Sequence, residues 1–565
     1  MTEEALKKLI TSRQSKLETN RSQIEPIWTS VAELVNIGLG DITNRGQSDK
    51  TFGDLGRKAF DGTAIGAAVL ATSGIHGYHV SPSFPWFNYV MSREVLNKVP
   101  EIKEWLQAEE ADVYSALNNS NFYSEMWNYI YNGFTIGSVA IYGEEDIESG
   151  RIVFDAVHPR EAYFEENKFG EVDVFHRKRK RTARQLVQKF GKDKLPDAIK
   201  NAYENDPFNE FEIIHAVFPR EEYDDRKKDA KNKKYASVWY LTGSSKIVDE
   251  SGYDEFPYKV WRYMPSSNTV YGLSPAILAM CDVKGVNIIS KTMLGAAQLF
   301  LDPPLNVPSD LMGKVQWKPR GLNPYDDHNK IVRPAQIGGT FPIGIDREEK
   351  VQAAIRERFH VDTFLMLANL ENRGQMTAYQ VSEMMGEKAA ILGAELAPLN
   401  TQMDAILDLV YFILAARNPQ NGGSINPRPD ALYELAIEGD SFSPMYQGPL
   451  AQAQRRLFKT QGIQSAMEFA APILQVFPQA ADNIDADELL VEGLRSFNFP
   501  QKAIKPKDQV AAERQQRAET MAQENEKEDL MNAAPAIKTA VEADNAAGGA
   551  LSQALANNAG GIING

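Results

Sequence analysis

Cysteine is almost absent from this chain of 565 residues, in which Cys281 is the single thiol. One thiol cannot close a disulfide within the chain, and it cannot build a zinc or iron–sulfur site without a cluster of other ligands. The seven histidines are scattered, and neither an H-E-x-x-H motif nor a paired-cysteine motif occurs. We therefore expect a reducing compartment, no metal site and no cofactor.

Long apolar runs are also missing. The N-terminal stretch MTEEALKKLI is charged and helix-forming, and it lacks the apolar core of a secretory signal, so we expect no export by that route. Residues 62–92 contain no Asp, Glu, Lys or Arg. Their apolar run is interrupted by Ser, Gly, His and Pro after about eight residues, which is too short for a membrane span. The sequence therefore predicts no membrane segment.

Catalytic motifs are a third absence. No G-x-x-x-x-G-K-[ST] phosphate loop occurs, so we do not expect the chain to hydrolyse ATP. The stretch GYHVSPSFPW holds Ser and His but lacks the G-x-S-x-G elbow of a hydrolase and an assignable acid. Trp86 and Phe87 are interpreted as core or subunit-interface anchors, and His158 as structural. The sequence does not predict an enzyme.

Positive charge is in deficit, because the chain has 61 Lys and Arg residues but 76 Asp and Glu residues, which gives a net charge of −15. Such a surface repels polyanions, whereas proteins that hold nucleic acid tightly usually show the opposite balance. A protein that must let DNA pass without sticking would not show that opposite balance.

Two basic clusters nevertheless occur in the part of the sequence with strand-like patterns. The run RKKDAKNKK, residues 226–234, is interpreted as a solvated tip between two strands rather than as a nucleic-acid patch. The run HRKRKR, residues 176–181, is interpreted as a strand whose alternate side chains meet the acidic surface of a neighbouring subunit, rather than as a nucleic-acid site.

The apolar content of 43% suffices for a core, and its spacing predicts an α+β fold that is mainly helical. Residues 1–40 have the spacing of a helix that Pro26 divides. Residues 61–77 predict a buried helix rich in small residues. From SVAIYGEED to YASVWYL the pattern becomes strand-like, and a further short strand is predicted near LYELAIEG.

Residues 274–301 predict one long helix. Ser274 is a good N-cap, Pro275 fits the first helical position, and Asp302 with the two prolines after it stops the helix. About 28 residues give a rod of roughly 42 Å. Small and apolar residues alternate along it by four and three, as in a helix packed lengthwise on neighbours. These are Ala279, Val283, Val286, Ser290, Met293, Ala297 and Phe300, and the more polar face carries Lys284, Asn287, Lys291 and Gln298.

A small subdomain and a second helix follow. Residues 305–345 carry many Pro and Gly residues between short apolar runs, which indicates a mixed module inserted between helices. Asp346 with Glu349 is a variant capping box that starts the second helix. This helix is predicted to run to about residue 370, over roughly 36 Å.

The stretch NLENRGQMTAYQ, residues 369–380, separates the second helix from a third. Gly374 permits a tight reversal, and Thr377 opens another capping box. The third helix is predicted to run to Arg417, with a kink at Pro398.

Six motifs occur in a fixed order along the chain. They are DGTAIGAAVLATSGIHGYHVSPSFPWFNY, NGFTIGSVAIYGEED, FDAVHPREAYFEENKFGEVDVFHRK, YGLSPAILAMCDVK, MTAYQVSEMMGE and SPMYQGPLAQAQR. Each is weak alone, but together they resemble the portal, or head-to-tail connector, proteins of short-tailed bacteriophages over roughly residues 1–500. The resemblance implies a structural protein whose copies form a dodecameric ring around a central channel, through which genomic DNA is packaged and ejected.

The resemblance also implies partners and a location. In that family the ring passes double-stranded DNA, docks the terminase large subunit and later the tail adaptor or nozzle proteins, and contacts the major capsid and scaffolding proteins. The chain is therefore expected in the virion at one capsid vertex and, during assembly, in the host cytoplasm.

Carried over by position, the resemblance implies a portal fold with wing, stem, clip and crown regions. These are a wing over 1–273, a first stem helix over 274–301, a clip over 302–346, a second stem helix over 347–368, a tunnel loop over 369–376, a long wing helix over 377–417, a wing and crown part over 418–500, and a C-terminal crown or barrel helix with a flexible tail over 501–565. The stem helices are expected to line or buttress the channel, and the clip to contact the packaging motor and the adaptor.

The residues expected to face DNA lie in the tunnel loop and on the first stem helix. They are Asn372, Arg373, Gln375, Lys284 and Lys291. The two lysines have an alternative that the sequence leaves open, in which they pair with carboxylates of a neighbouring subunit, namely Glu349, Glu357 or Asp362. The clip residues expected to dock terminase and adaptor are Lys314, Trp317, Lys318, Arg320 and Lys330.

Two other classes of protein compete with this interpretation. A nucleic-acid enzyme with regulatory long helices requires a nucleotide or metal site, for which the sequence shows no motif. An adaptor or internal core protein of the virion is also structural, but adaptors are usually much shorter. The order of stem, clip, stem and loop argues against an adaptor or internal core protein.

Overall fold

Helices and strands are mixed along the chain, which makes the fold α+β, as predicted. The computed structural model describes residues 2–43, 56–146, 148–224, 229–301, 305–306, 333–334, 341–368, 378–435 and 440–447, and towards the C-terminus residues 469–473, 509–521 and single positions between 475 and 490. The helices are α1 (Glu3–Ser22), α2 (Glu25–Leu34), α3 (Thr63–His79), α4 (Pro100–Asn118), α5 (Phe122–Ile136), α6 (Ala183–Phe190), α7 (Asp197–Asn205), α8 (Pro275–Leu278), α9 (Met280–Leu301), α10 (Phe341–Arg358), α11 (Val361–Ala368), α12 (Ala378–Arg417) and α13 (Asp430–Leu435). The strands are β1 (Phe87–Met91), β2 (Ser138–Asp146), β3 (Arg151–Val157), β4 (Ala162–Glu166), β5 (Val172–Thr182), β6 (Glu210–Pro219), β7 (Tyr235–Leu241), β8 (Lys246–Tyr253), β9 (Tyr258–Arg262), β10 (Leu305–Asn306), β11 (Arg333–Pro334) and β12 (Phe442–Tyr446).

The chain divides into two compact units, Met1–Leu457 and Phe458–Gly565. In the second unit the structure describes a helix over residues 509–521, from which Arg514 reaches Asp487 at 2.6 Å. Helices α1 to α13 and strands β1 to β12 all lie in the first unit.

A five-stranded antiparallel sheet runs in the order β4-β5-β6-β7-β8 and is covered on both faces. Side chains alternate along each strand, so every second residue faces the same way. On one face Val174 packs with Leu6 and Ile10 of α1. On the other face Ile213 and Trp239 pack against α6 and α7.

The run HRKRKR lies in strand β5, as predicted. The prediction that its acidic partners come from a neighbouring subunit is wrong. The acidic partners belong to the same chain, because α1, β3 and the turn before β4 bring their carboxylates beside β5. Arg177 lies 2.7 Å from Asp155 and 2.8 Å from Glu161, and Lys178 lies 3.0 Å from Glu18. Buried charges of this kind are tolerated only when they are paired. The run 226–234 lies in the connection from β6 to β7, as predicted; residues 225–228 are outside the described residues.

The main core gathers α2 to α5, the sheet β3-β2-β9 and the second half of α12. Trp86 and Phe87 are fully buried in this core. Of the two roles proposed for them, core anchor and subunit-interface anchor, the core role is confirmed. The Tyr114 hydroxyl accepts from both of their backbone N–H groups, each at 2.8 Å. His158 is structural, as predicted, because its ring contacts the Leu39 carbonyl oxygen at 3.2 Å.

Three local predictions about helices and strands have different outcomes. The N-terminal helix is divided as predicted, with Pro26 in the first turn of α2. The buried helix rich in small residues is α3. The short strand near LYELAIEG is wrong, because that stretch begins with α13. The strand lies later, at β12, and pairs antiparallel with β1 so that Phe87 faces Tyr446.

The third long helix is confirmed as α12, which has 40 residues and contains Pro398. Its stretch Leu392–Arg417, with a mean hydropathy of 1.2, is long and apolar enough to cross a membrane by composition. Three of its large side chains, Leu399, Met403 and Ile406, are completely buried in the core. Packing within the protein therefore accounts for part of its apolar character.

We predict that Gly74→Ala destabilises the first unit by about 1–3 kcal/mol, because a Cβ at Gly74 would lie 2.5 Å from the Phe364 ring. The matched control is Gly77→Ala in the same helix, where nothing lies within 4 Å of the added carbon. That change should leave stability unchanged or raise it by about 0.5–1 kcal/mol. Urea unfolding measures both. Equal effects of the two substitutions would contradict the packing of α3 on α11.

Candidate channel-forming helices

Helix α8 begins where the sequence predicts. The Ser274 hydroxyl accepts from the Ile277 N–H at 3.0 Å and donates to the Thr135 carbonyl at 2.7 Å, so the cap also fixes the helix to α5. The predicted single rod is interrupted at Ala279, which ends α8 before α9 begins. The Ala279 N–H still donates to the Pro275 carbonyl at 2.8 Å. The two helices therefore follow one another with a one-residue interruption, and α9 ends at the predicted position.

Helix α10 begins at Phe341, so the capping box predicted at Asp346 is wrong. Asp346 lies inside the helix and accepts from Lys350 at 2.8 Å. The physical reason is tertiary packing. A Cβ on Gly344 would lie 2.6 Å from the Met293 sulfur, so this turn packs closely on α9. The packing makes the chain helical from Phe341, five residues ahead of the capping signal at Asp346. Residues 341–346, placed in the clip by the sequence, belong to the helix.

Helices α9 and α10 pack antiparallel. Three contacts follow one another in opposite order along the two helices. They join Met293 to Gly344, the Ser290 hydroxyl to the Glu348 carboxylate, and Asp282 to Arg358 at 3.2 Å. Strands β10 and β11 pair with Leu305 opposite Pro334, which ties the two ends of the inserted segment together. The insertion therefore leaves and returns at one end of the helix pair.

The two long faces of α9 differ in burial and in charge. Val283 and Val286 are 4% and 1% exposed and face the core. Lys284, Ile288 and Lys291 lie on the opposite face, where Ile288 is 64% exposed and both lysines are exposed. The other charged residue of α9, Asp282, is engaged by Arg358. The outward face of α9 is therefore positive in a chain that is negative overall.

A short segment before α3 braces α9 and was not singled out by the sequence. The Asn287 side chain accepts from the Phe60 N–H at 2.6 Å and donates to the Lys58 carbonyl at 2.8 Å. The Lys291 ammonium lies 5.3 Å from the centre of the Phe60 ring. Gln352 of α10 donates to Asp61 at 2.9 Å. From the sequence, Asn287 could be recognised only as part of a polar helix face. Its bracing role could not be predicted, because its partners lie far away in sequence.

The second long helix is broken at His360, so its prediction as one helix to residue 370 is wrong. His360 has φ of 54°, a left-handed conformation that is rare outside glycine, and it separates α10 from α11. Its ring contacts the Glu395 carboxylate of α12 at 2.9 Å, and the Tyr263 hydroxyl donates to the same carboxylate at 2.6 Å. The hydrogen bond from His360 lowers the pKa of Glu395. This contact joins the helices before and after residues 369–377.

The structure places two of the sequence-predicted site residues, Lys284 and Lys291, on one helix face. The predicted partners in a neighbouring subunit, Glu349, Glu357 and Asp362, are exposed on α10 and α11. The remaining site residues lie outside the described residues and stay predictions: Asn372, Arg373, Gln375, Lys314, Trp317, Lys318, Arg320 and Lys330. Among the residues that the structure describes, no group of three His, Cys, Asp or Glu side chains is placed to hold a metal ion.

Comparison with known proteins points to one class. The model of the family described as "Bacteriophage head to tail connecting protein" matches residues 7–504. The portal protein of Salmonella phage epsilon15 is 27% identical over 530 residues, which cover 91% of this chain and 92% of that protein. The probable portal protein of Bordetella phage BPP-1 is 25% identical over 532 residues, which cover 92% of each.

We predict that Asn287→Leu lowers the free energy of unfolding by about 1–2 kcal/mol, because two hydrogen bonds to residues 58–60 are lost. The Phe60 amide should also exchange its hydrogen faster. Gln298→Leu, at an exposed position of the same helix, is the control and should change stability by less than about 0.5 kcal/mol. Unchanged exchange at Phe60 in the Asn287 variant would show that this contact does not brace α9.

Proposed function

The chain belongs to the family of bacteriophage head-to-tail connecting proteins, and from this premise we propose that its copies close into a ring that forms the DNA channel at one vertex of the capsid. The observation that carries the proposal is the antiparallel pair α9 and α10, whose insertion leaves and returns at one end. One face of the pair is committed to its own chain, and the outward face of α9 is left for DNA or for the next copy. Head-to-tail repetition of one interface gives a closed ring.

In this proposal the regions of the chain have separate tasks. Helices α8 to α11 form the stem, the insertion over residues 302–340 forms the clip, and residues 369–376 form the tunnel loop. Helix α12 crosses the wing, which also contains residues 1–273. Residues 418–500 complete the wing and crown, and residues 501–565 supply a crown or barrel helix with a tail. The early start of α10 makes this clip shorter than the sequence suggested.

Charge supports a channel through which DNA slides. Twelve copies at −15 each would carry about −180, so the bulk of the ring would repel a duplex. Lys284 and Lys291 are one heptad apart, roughly 10 Å along α9, and in a ring they would form two sparse levels of positive charge. Contacts of this kind hold phosphates weakly, and the hold weakens further as salt rises. Arg373 of the tunnel loop would add a third level of positive charge, and Asn372 and Gln375 would add polar contacts beside it.

The proposed partners follow from the regions. The ring would pass double-stranded DNA, the clip would dock the terminase large subunit and then the tail adaptor or nozzle proteins, and the wing would meet the major capsid and scaffolding proteins. Lys314, Trp317, Lys318, Arg320 and Lys330 are the proposed clip residues for docking. The ring would be assembled in the host cytoplasm and retained in the virion.

We predict that replacing both Lys284 and Lys291 with Gln leaves rings intact and reduces the salt dependence of DNA binding. The slope of log K against log salt should fall in magnitude by about one for each lysine that touches a phosphate. Fluorescence anisotropy with a short duplex measures the slope, and negative-stain images count the rings. Lys350→Gln is the control, because Lys350 is an exposed lysine engaged by Asp346 in its own helix.

Two results would go against this assignment. Loss of rings in the double variant, with intact rings in the control, would show that the lysines pair with carboxylates of the neighbouring copy. An unchanged salt slope with intact rings would show that neither lysine faces DNA. If the unsubstituted protein forms only compact monomers, the proposed function itself is wrong.

A further inference from the structure

A small cavity lies on the face of the five-stranded sheet that α6 covers. It has a volume of about 250 Å³. Arg179 and Arg181 of β5 and Lys189 of α6 line it, together with Gln185 of α6 and Trp239 of β7. The two arginines are two residues apart on one strand and so point to the same face. Three cationic groups therefore converge on one cavity.

The negative charge beside this cavity is smaller than the positive charge. The Lys189 ammonium lies 3.6 Å from the Glu144 carboxylate. Asp155 is shared, since Arg177 holds it at 2.7 Å and Arg179 reaches it only at 3.5 Å. Glu161 also acts on Arg179 but is held by Arg177 at 2.8 Å. Three carboxylates thus meet four cations, namely Arg177 and the three that line the cavity. The cavity therefore retains an excess of positive charge.

Arg179 carries the clearest sign of a missing partner. Its side chain is 10% exposed, and its Nε atom is buried with no hydrogen-bond partner among the residues that the structure describes. Burial, together with the charges of Arg177 and Arg181, lowers the pKa of the Arg179 guanidinium to about 10. A buried donor without an acceptor destabilises a fold, and a buried charge does so more strongly. A ligand that brought negative charge into the cavity would offset the cost of the buried charge.

We propose that this cavity binds a phosphate-type oxyanion. Guanidinium groups hold the oxygens of phosphate in forked pairs of hydrogen bonds, and an ammonium adds a compact charge. The three acceptor oxygens of a phosphate group suit three converging cations better than the two oxygens of a carboxylate do. The depth of Arg179 separates this ligand from duplex DNA, whose phosphates lie on a broad convex surface.

The bound oxyanion acts as a structural ligand at a junction. Glu144 lies on β2 and Asp155 on β3, whereas the cations lie on β5 and α6, so the cavity sits where the two sheets meet. Neutralising Arg179 and Arg181 lowers the repulsion at this junction. Binding of the anion to the folded chain alone stabilises it in proportion to the occupancy.

The test compares thermal unfolding in potassium phosphate and in potassium chloride at equal ionic strength. Arg181→Gln removes one lining cation, and Lys180→Gln is the matched control, because Lys180 is the adjacent residue on the opposite face and its side chain is 57% exposed. We expect phosphate to raise the Tm of the unsubstituted and control chains by about 2 °C or more, and to raise that of Arg181→Gln by less than half as much. Lys189→Gln, at the exposed edge of the cavity, should reproduce the loss if Arg181→Gln folds poorly.

Three outcomes would overturn the proposal. An equal Tm increase in all chains would show the general stabilisation that phosphate gives any protein. If phosphate has no effect and Arg181→Gln alone fails to form rings, the occupant is a carboxylate of a neighbouring copy. If phosphate has no effect and Arg181→Gln alone weakens duplex binding, the cavity belongs to a nucleic-acid surface. The Tm comparison needs only the folded chain, so its result does not depend on the proposed ring or channel.

Discussion

The antiparallel packing of α9 on α10 is the constraint on which the rest of the structure depends. The close approach of Gly344 to Met293 at one end and the pair of Arg358 with Asp282 at the other fix the register of the two helices. Because the register is fixed, the chain that enters the insertion through β10 must return beside it through β11. The body of the protein holds the same pair from the side, through Asn287 and the backbone of residues 58–60.

The distribution of charge distinguishes the outward face of α9 from most of the protein. This acid-rich chain uses its own carboxylates to neutralise the basic strand β5, where Asp155, Glu161 and Glu18 each meet an arginine or lysine. Most buried positive charge is cancelled in this way. Positive charge remains in excess on the outward face of α9 and in the cavity beside Arg179. Because the surrounding surface is negative and repels phosphate groups, any phosphate binding at these two places depends on their local cations.

The sequence predicted what local chemistry determines. The Ser274 cap, the division at Pro26 and the end of α9 all depend on residues within a few positions of the event, and all are confirmed. The start of α10 was missed because close packing on α9 outweighed the capping signal at Asp346. The break at His360 was missed because a positive φ at histidine has no local signature and is held here by Glu395 of a different helix.

Long-range pairings were missed for a related reason. The pairing of β1 with β12 and the carboxylate partners of β5 join parts of the chain that no spacing connects. Of the candidate site, the two lysines of α9 could be predicted to share a face because helical periodicity alone places them there. Their brace at Phe60 could not, since it belongs to the segment before α3.

The central claim is that copies of the α9 and α10 pair stand side by side around an open bore. Cys281 tests it most directly, because this single thiol is exposed on α9. Pulsed electron–electron double resonance on protein spin-labelled at Cys281 measures the distances between copies. The account predicts a set of distances that fits one regular polygon. Absence of coupling between copies, or distances that fit no closed ring, would contradict it.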